Sequence, residues 1–235
     1  MKSDYVHSLI KEQYESTFRE SENAAVSYLR PNTYYIMRFD GKGMTKRFKP
    51  KEALCNECFF KNIKRAFLDF CKEHSSLFLF GFQCNDEISV LLRASENDGD
   101  DRSRKEKMLS LFSSEISVRF DRLCSKHPPE VSIENGNDLV NVFDARIFEI
   151  AKENISTYFR LRQAFGIEHT LTRIKNKTKC EYGIPSAIEL LKEKTKLNPR
   201  EVLFGIFFAP KKHLYPIELK TREEQLKKLL FGGEI

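Results

Sequence analysis

The chain of 235 residues, with 20 phenylalanines and no tryptophan, is long enough for one large domain or for one domain with a smaller appendage. Residues 1–20 are polar and charged, which excludes a typical signal peptide, and no apolar run approaches the length of a membrane span. From these two features we expect a cytoplasmic protein without membrane contact. The net charge of +6 permits binding to phosphate-rich partners without requiring it.

The N-terminal half of the chain alternates between predicted strands and predicted helices. One or two short helices are predicted from Tyr5 to Tyr28, and Pro31 ends them because proline has no donor N–H. The apolar runs then predict strands at 34–37, 77–80, 88–92 and 139–150, and helices at 53–73 and 107–123. The order strand, helix, strand, strand, helix, strand is that of the split βαβ, ferredoxin-like arrangement with an antiparallel sheet.

The C-terminal half is predicted to be mostly helical. Helical spacing is present at 155–165, 184–194 and 223–231. Basic residues are concentrated here, in the run from Arg173 to Lys179 and again near the C-terminus. A solvated helix face explains such runs more often than a nucleic-acid surface does, so charge alone leaves RNA binding open.

Two short acidic segments follow predicted strands. Asp40-Gly41 ends the first strand, and Asn85-Asp86-Glu87 joins the second strand to the third. Taken singly, each is an ordinary turn. In a split βαβ fold, however, the end of the first strand lies beside this hairpin, so Asp40 and Asp86 would converge at one edge of the sheet. Two carboxylates beside a glycine turn suit Mg²⁺ and a nucleoside triphosphate, which indicates nucleotidyl transfer in the manner of a polymerase palm or a nucleotide cyclase.

The residues that follow Asp40 support this interpretation. The backbone of residues 41–45 is open to phosphate because Gly41 and Gly43 carry no side chain. Positive charge for a departing pyrophosphate is available from Lys42, Lys46 and Lys49. The chain has no P-loop, no Gly-x-Ser-x-Gly elbow and no His pair at metalloprotease spacing, so hydrolase functions are disfavoured.

Four motifs along the chain point to a family when taken together. They are Leu29-x-Pro31-Asn32-Thr33-x-x-Ile36-x-Arg38-x-Asp40-Gly41-Lys42 followed by Lys49-Pro50, Asn85-Asp86-Glu87-Ile88-Ser89, Phe143-Asp144-Ala145-Arg146, and Tyr158-Phe159-x-x-Arg162-Gln163. In this combination the chain resembles the tRNA-His guanylyltransferase family, including its tRNA-repair-like 3′–5′ polymerases. The resemblance extends from about residue 29 to residue 204.

The resemblance implies an α+β fold with a ferredoxin-like, polymerase-palm core. The palm-like catalytic domain, with its N-terminal helices, would occupy residues 1–150, and a mostly helical region of residues 151–235 would pack on it. Such enzymes add nucleotides, with GTP favoured, in the 3′–5′ direction to the 5′ end of tRNA, which is activated by ATP or arrives as a triphosphate. The implied partners are tRNA and nucleoside triphosphates, and the implied assembly is a homodimer or homotetramer.

The resemblance also implies the roles of particular residues. Asp40, the Gly41 carbonyl and Asp86 would ligate two Mg²⁺ ions, and the catalytic residues would be Asp40, Asp86 and Glu87. The implied nucleotide-binding residues are Asp40, Gly41, Lys42, Gly43, Met44, Thr45, Lys49, Asn85 and Asp86. Less specific phosphate contacts are implied at Arg93, Arg104, Lys107 and Ser110.

The chain departs from the family pattern after Arg162-Gln163, in the half that reads the substrate. Phe165, Ile167 and His169 stand where the family has Asp, then His or Arg, then Asn. We predict that His169 lies beyond a helix end as a solvated or capping residue. Two alternatives stay open: a nucleotidyltransferase or cyclase-like enzyme that acts on nucleotides alone, and a non-catalytic RNA-binding relative.

Overall fold

The computed structural model describes residues 27–94, 104–131 and 140–210. The predicted helices before Tyr28 and at 223–231, and the basic residues beyond position 210, lie outside the described residues. The division of the chain at residue 150 stays a prediction. None of the helices within the described ranges is long and apolar enough to cross a membrane.

One antiparallel sheet of five strands, in the order β4-β1-β3-β2-β5, organises the described chain. The strands are β1 (Tyr34–Gly41), β2 (Phe78–Cys84), β3 (Glu87–Arg93), β4 (Phe143–Ile150) and β5 (Ile206–Phe208). The first four form the split βαβ arrangement, which confirms the predicted α+β, ferredoxin-like fold. β5 was not predicted, because an apolar run of three residues is too short to show alternation.

The helices differ from the prediction mainly at their ends. They are α1 (Met44–Arg47), α2 (Glu57–Glu73), α3 (Lys105–Lys126), α4 (Ile155–Thr178), α5 (Ile184–Lys194) and α6 (Pro199–Phe204), with a short 3-10 turn at Lys152–Asn154. α2 begins four residues later than the predicted start at residue 53, because the Asn56 side chain caps it by accepting a hydrogen bond from the Phe59 N–H.

α4 was predicted to end at Phe165, and that prediction is wrong. The helix continues for another three turns, to Thr178. Gly166 lies inside it because the helix crosses β2 closely there, and a Cβ at this position would overlap the Cys84 Sγ. The glycine therefore permits close helix–sheet packing instead of ending the helix. This carries residues 166–178, among them His169, past the hairpin at Asn85 to the loop after α1.

Helices cover both faces of the sheet. On one face, α2 and α3 pack on alternate residues of β1 such as Phe39, whose ring meets that of Phe70 edge to face at 5.6 Å. On the other face, α4 packs on β2 and β3, with the Phe159 ring 4.8 Å from that of Phe80. The strand ends that carry the acidic segments are thus held on a platform with a core on each side, and α4 runs across it.

Candidate active site

The two acidic segments meet at one edge of the sheet. β1 and β3 pair so that Asp40 is opposite Glu87. The Gly41 N–H also donates to the Asp86 carbonyl, with 3.0 Å between the nitrogen and the oxygen. At the hairpin, Asn85 has a φ of +52°, a left-handed conformation that asparagine tolerates better than most residues. The strand ends are therefore adjacent, as the split βαβ arrangement predicts.

The side chain of Asp86 is desolvated and has little compensation for its charge. The Thr45 hydroxyl donates to its carboxylate at 2.8 Å. Burial nevertheless raises the pKa of Asp86, and the neighbouring charge of Asp40 raises it further. A divalent cation at this place would oppose both effects.

Glu87 has a different environment, in which two arginines surround its carboxylate. Arg162 of α4 donates two hydrogen bonds to it, one of them at 2.6 Å from Nε to Oε1. The Arg38 Nε lies 3.3 Å from the Glu87 Oε2, and the Arg38 Nη2 lies 3.2 Å from the Asp40 Oδ2. Burial raises the pKa of Glu87, and the two arginines offset this only in part. The charge of Glu87 is thus compensated within the protein, and its catalytic role stays a prediction.

Arg38, Tyr158 and Arg162 belong to the sequence motifs, but no role was predicted for them. The structure links all three to the carboxylate edge, since the Tyr158 hydroxyl lies 3.0 Å from the Ser89 hydroxyl, next to Glu87 on β3. A signal for Arg38 was present: residues two apart on a strand share a face, so Arg38 and Asp40 had to be neighbours. No comparable local signal existed for α4.

The glycine turn after β1 allows the two segments to approach closely. A Cβ at Gly41 would lie 2.5 Å from the Met44 Sδ and 3.0 Å from the Asp86 Cβ, so a side chain there would displace the hairpin. Gly43 has a φ of +69°, which glycine adopts without strain, and it starts the short helix α1 that carries Thr45. The turn therefore sets the contact between Thr45 and Asp86.

A cavity of about 630 Å³ opens beside Asp86, within the size range of small-molecule sites. Its lining residues are Met44, Thr45, Lys46, Phe48, Lys49, Pro50, Lys51, Cys55, Asn56, Phe59, Phe60, Asn85, Asp86, His169, Thr172, Arg173, Asn176, Lys177 and Val202. Five predicted nucleotide-binding residues are among them, namely Met44, Thr45, Lys49, Asn85 and Asp86. The other four, which are Asp40, Gly41, Lys42 and Gly43, lie outside the lining.

One wall of the cavity is built by α4, which sequence reasoning missed. His169 is exposed, as predicted, but its predicted position beyond a helix end is wrong, because it lies within α4. Its Nδ1 is 3.2 Å from the Asn85 side-chain nitrogen. Two turns further on, the Lys177 ammonium donates to the Pro50 and Lys51 carbonyls, at 2.7 Å and 2.5 Å. α4 therefore contacts the hairpin at one end of the cavity and the loop after α1 at the other.

The less specific phosphate contacts do not join this site. Arg93 is paired with Tyr34 at the far end of β1, six residues or about 20 Å from Asp40 along the strand. Its guanidinium donates to the Asn32 side chain at 3.0 Å. Arg104 pairs with Glu106 at 2.8 Å, and the Ser110 hydroxyl donates to the Lys107 carbonyl at 3.0 Å. As a group these residues lie apart from the carboxylates.

The donor atoms at the sheet edge fit Mg²⁺. Within the described ranges, no three side chains of His, Cys, Asp or Glu form a metal cluster. Mg²⁺ does not need one, since it is commonly held by one or two carboxylates together with substrate phosphates and water. Asp40, Asp86 and the Gly41 carbonyl supply hard oxygen donors of this kind, and the raised pKa of Asp86 is what a bound cation would reverse.

The protein has an α+β, ferredoxin-like fold with a palm-type core. Its class is defined by the antiparallel split βαβ sheet with paired carboxylates at one edge. The sequence model of one family, tRNA-His guanylyltransferase, matches residues 15–151. This is more than half of the chain, and the chain belongs to that family.

Solved structures agree in fold. A bacterial tRNA-His guanylyltransferase-like protein in complex with ATP superposes with a TM-score of 0.64 at 17% identity, covering 93% of this chain and 100% of that one. The tRNA-His guanylyltransferase of Saccharomyces cerevisiae gives a TM-score of 0.65 at 19% identity, covering 88% and 96%. A bacterial guanylyltransferase-like protein in complex with GTP gives 0.62 at 15% identity, covering 93% and 100%. Among curated proteins the chain matches none.

Proposed function

We propose that the protein is a Mg²⁺-dependent nucleotidyltransferase that adds nucleotides, with GTP favoured, in the 3′–5′ direction to the 5′ end of tRNA. Membership of the tRNA-His guanylyltransferase family supports the reaction class. The observation that carries the proposal for this chain is the desolvated Asp86, adjacent to the end of β1, at the mouth of a nucleotide-sized cavity. The structures solved with ATP and with GTP support nucleoside triphosphates as substrates.

Asp40, the Gly41 carbonyl and Asp86 would hold two Mg²⁺ ions. Bound there, the ions would neutralise the triphosphate and activate the attacking hydroxyl. The Thr45 hydroxyl orients the Asp86 carboxylate, and Arg38 holds Asp40. The backbone of residues 41–45, with Lys49, would hold the phosphates, while the cavity would accept the nucleoside.

The reaction joins the 3′-hydroxyl of the incoming nucleotide to the 5′-phosphorus of the RNA. A new P–O bond forms at that phosphorus, and the bond to the leaving group breaks. The leaving group is pyrophosphate when the RNA end carries a triphosphate, and AMP when ATP has activated a monophosphate end. The energy comes from that phosphoanhydride bond, so the protein's task is positioning and charge compensation.

The tRNA surface in this proposal is formed by basic residues of the C-terminal half. The basic run of α4 is only partly a solvated face, since Lys177 bonds to the loop after α1 and Arg173 lines the cavity, whereas Lys175 is exposed beside Glu181. Basic residues elsewhere in the C-terminal half would then carry the electrostatic contact, in a cytoplasmic homodimer or homotetramer. Binding through several phosphates would weaken steeply with salt.

A transfer assay tests the proposal. Intact and 5′-truncated tRNAs are incubated with Mg²⁺, ATP and labelled GTP, using wild type, Asp86→Asn and the matched control Asp69→Asn. Asp69 is a carboxylate of α2 that pairs with Arg65 on the surface. We expect 5′ extension by wild type and by the control, and none by Asp86→Asn.

Other outcomes favour the alternatives. Nucleotide products that form equally well without RNA would indicate an enzyme that acts on nucleotides alone. RNA binding that is unaffected by Asp86→Asn, with no transfer by wild type, would indicate a non-catalytic RNA-binding relative.

A further inference from the structure

Arg173 is a charged side chain of the cavity wall that lacks a hydrogen-bond acceptor for one buried N–H, among the described residues. Its Nε is buried, and within the described residues it has no hydrogen-bond partner. Its charged neighbour is Asp86, and the thiols of Cys55 and Cys84 are also close. A buried N–H without an acceptor is costly, so an acceptor supplied to this guanidinium from outside the protein would be bound favourably.

The polar neighbours of Arg173 are already engaged with the protein. One turn before it, His169 contacts the Asn85 amide, and one turn after it, Lys177 donates to the loop after α1. Across the cavity, the Asn56 amide donates to the Phe48 and Glu130 carbonyls, at 3.2 Å and 2.8 Å. Arg173 also borders the cavity, but its Nε makes no hydrogen bond to the described residues.

Lys46, Lys49 and Lys51 line the cavity from α1 and the loop that follows it, whereas another part of the lining suits a flat aromatic ring. Phe48 and Phe59 are stacked, with 5.0 Å between their ring centroids, and Phe60, Met44 and Val202 add apolar surface. Aromatic side chains bind nucleobases by stacking, whereas a triphosphate requires cations and backbone N–H groups. The lysines and the carboxylate edge would hold the phosphates, and the group that meets Arg173 beside the aromatic lining is then a base.

We propose that Arg173 recognises the base of the bound nucleotide and selects guanine over adenine. Guanidinium offers donors only. The Hoogsteen edge of guanine presents two acceptors, O6 and N7, whereas adenine replaces O6 with an amino donor. A bidentate pair of this kind discriminates by about 5- to 150-fold in affinity. This inference rests on the proposed function, because it assumes that the nucleotide occupies the cavity beside Asp86.

Direct binding in the presence of Mg²⁺ tests the inference, with GTP, ATP, inosine triphosphate and 7-deaza-GTP as probes. Inosine triphosphate keeps O6 and N7, and 7-deaza-GTP lacks N7. Wild type is expected to bind GTP and inosine triphosphate with similar affinity, and ATP and 7-deaza-GTP about 5- to 150-fold more weakly. This comparison needs no variant, so it stands even where a substitution disturbs folding.

Variants locate the discrimination. Arg173→Lys keeps the positive charge but loses the paired N–H donors of the guanidinium, and Arg173→Gln loses both the charge and the paired donors. Each variant is expected to bring the affinity for GTP down to that for ATP. The control Lys175→Gln removes an exposed cation of the same helix and is expected to keep the preference. Equal losses for GTP and ATP would show that Arg173 binds phosphate, and equal wild-type affinities for all four probes would show that the base is not recognised; either result overturns the inference.

Failure of the proposed function has a different signature. If wild type binds none of the four probes, or if Asp86→Asn leaves their affinities unchanged, the nucleotide does not occupy the site beside Asp86. The proposed function is then overturned, and the inference on Arg173 falls with it. Binding that depends on Asp86 but ignores the base overturns the inference alone.

Discussion

Replacement of Arg162 by methionine should destabilise the protein, because Arg162 provides most of the charge compensation of Glu87. The Glu87 side chain is 15% exposed and that of Arg162 is 21% exposed. Methionine retains much of the apolar stem of arginine but donates no hydrogen bond. The substitution therefore leaves a largely buried carboxylate that has lost two hydrogen bonds and keeps the ion pair with Arg38, whose Nε lies 3.3 Å away.

The loss of these contacts sets the expected decrease in the free energy of unfolding. Breaking a buried ion pair by removing one partner costs about 3–5 kcal/mol. Because Arg38 remains, we expect the lower part of that range or slightly less, about 2–3 kcal/mol, which corresponds to roughly 4–12 °C in Tm for a chain of this size. The double variant Glu87→Gln/Arg162→Met should be more stable than the sum of the single effects, because the unpaired charge is absent.

Urea unfolding of the wild type, both single variants and the double variant measures this coupling. Arg65→Met is the control, since Arg65 is 69% exposed and its surface pair with Asp69 should contribute only about 0.2–1 kcal/mol. The loss in Arg162→Met should shrink as the pH falls through the raised pKa of Glu87, where the carboxyl becomes neutral and no longer needs compensation. A loss no larger than that of Arg65→Met, or additive single effects, would refute the reasoning.

Three further predictions concern the site and α4. Asp86→Asn should raise the stability of the ligand-free protein at neutral pH, because the pKa of Asp86 is raised in the folded state. In thermal melts, this gain in Tm should vanish as the pH falls to the ordinary carboxyl range. The stabilisation of the wild type by Mg²⁺ with GTP should be lost in the variant. Lys177→Met should increase hydrogen exchange in the loop around residues 50–51, whose carbonyls it binds, without affecting α2. Gly166→Ala should cost about 1–3 kcal/mol in urea unfolding, and Cys84→Ala should recover part of that loss.

The sheet and its carboxylate edge were predictable from the sequence because both depend on local patterns. Alternating apolar runs fix the strands, and the order of elements fixes which strand ends become neighbours. Asp40 and the 85–87 hairpin were therefore placed correctly without any knowledge of side-chain contacts.

The cavity was not predictable, because it depends on how α4 lies across the sheet. Gly166 looks like a helix end in sequence, whereas in the structure it allows the helix to pass close to Cys84. Because the helix was predicted to end at residue 165, neither His169 nor Arg173 could be predicted to line a cavity. The angle at which a helix crosses a sheet, and the points of close approach, depend on packing between residues that are distant in sequence. They cannot be predicted from the periodicity of one segment.

The distribution of charge compensation gives a way to tell an enzyme from a non-catalytic relative. The clustering of Asp40, Asp86 and Glu87 is by itself weaker support for bound ions than the sequence suggested, because Arg38 and Arg162 compensate Glu87 and part of Asp40. Asp86 is different, since its carboxylate accepts a hydrogen bond from the Thr45 hydroxyl but, within the described part of the chain, forms no salt bridge, although Arg173 lies nearby, and burial raises its pKa. A purely structural aspartate in that environment would be expected to form a direct ion pair, and asparagine would serve as well there at lower cost. Retention of Asp86 therefore argues for a cation that arrives with the substrate, and a ligand-free protein that gains no stability from Asp86→Asn would remove this argument for catalysis.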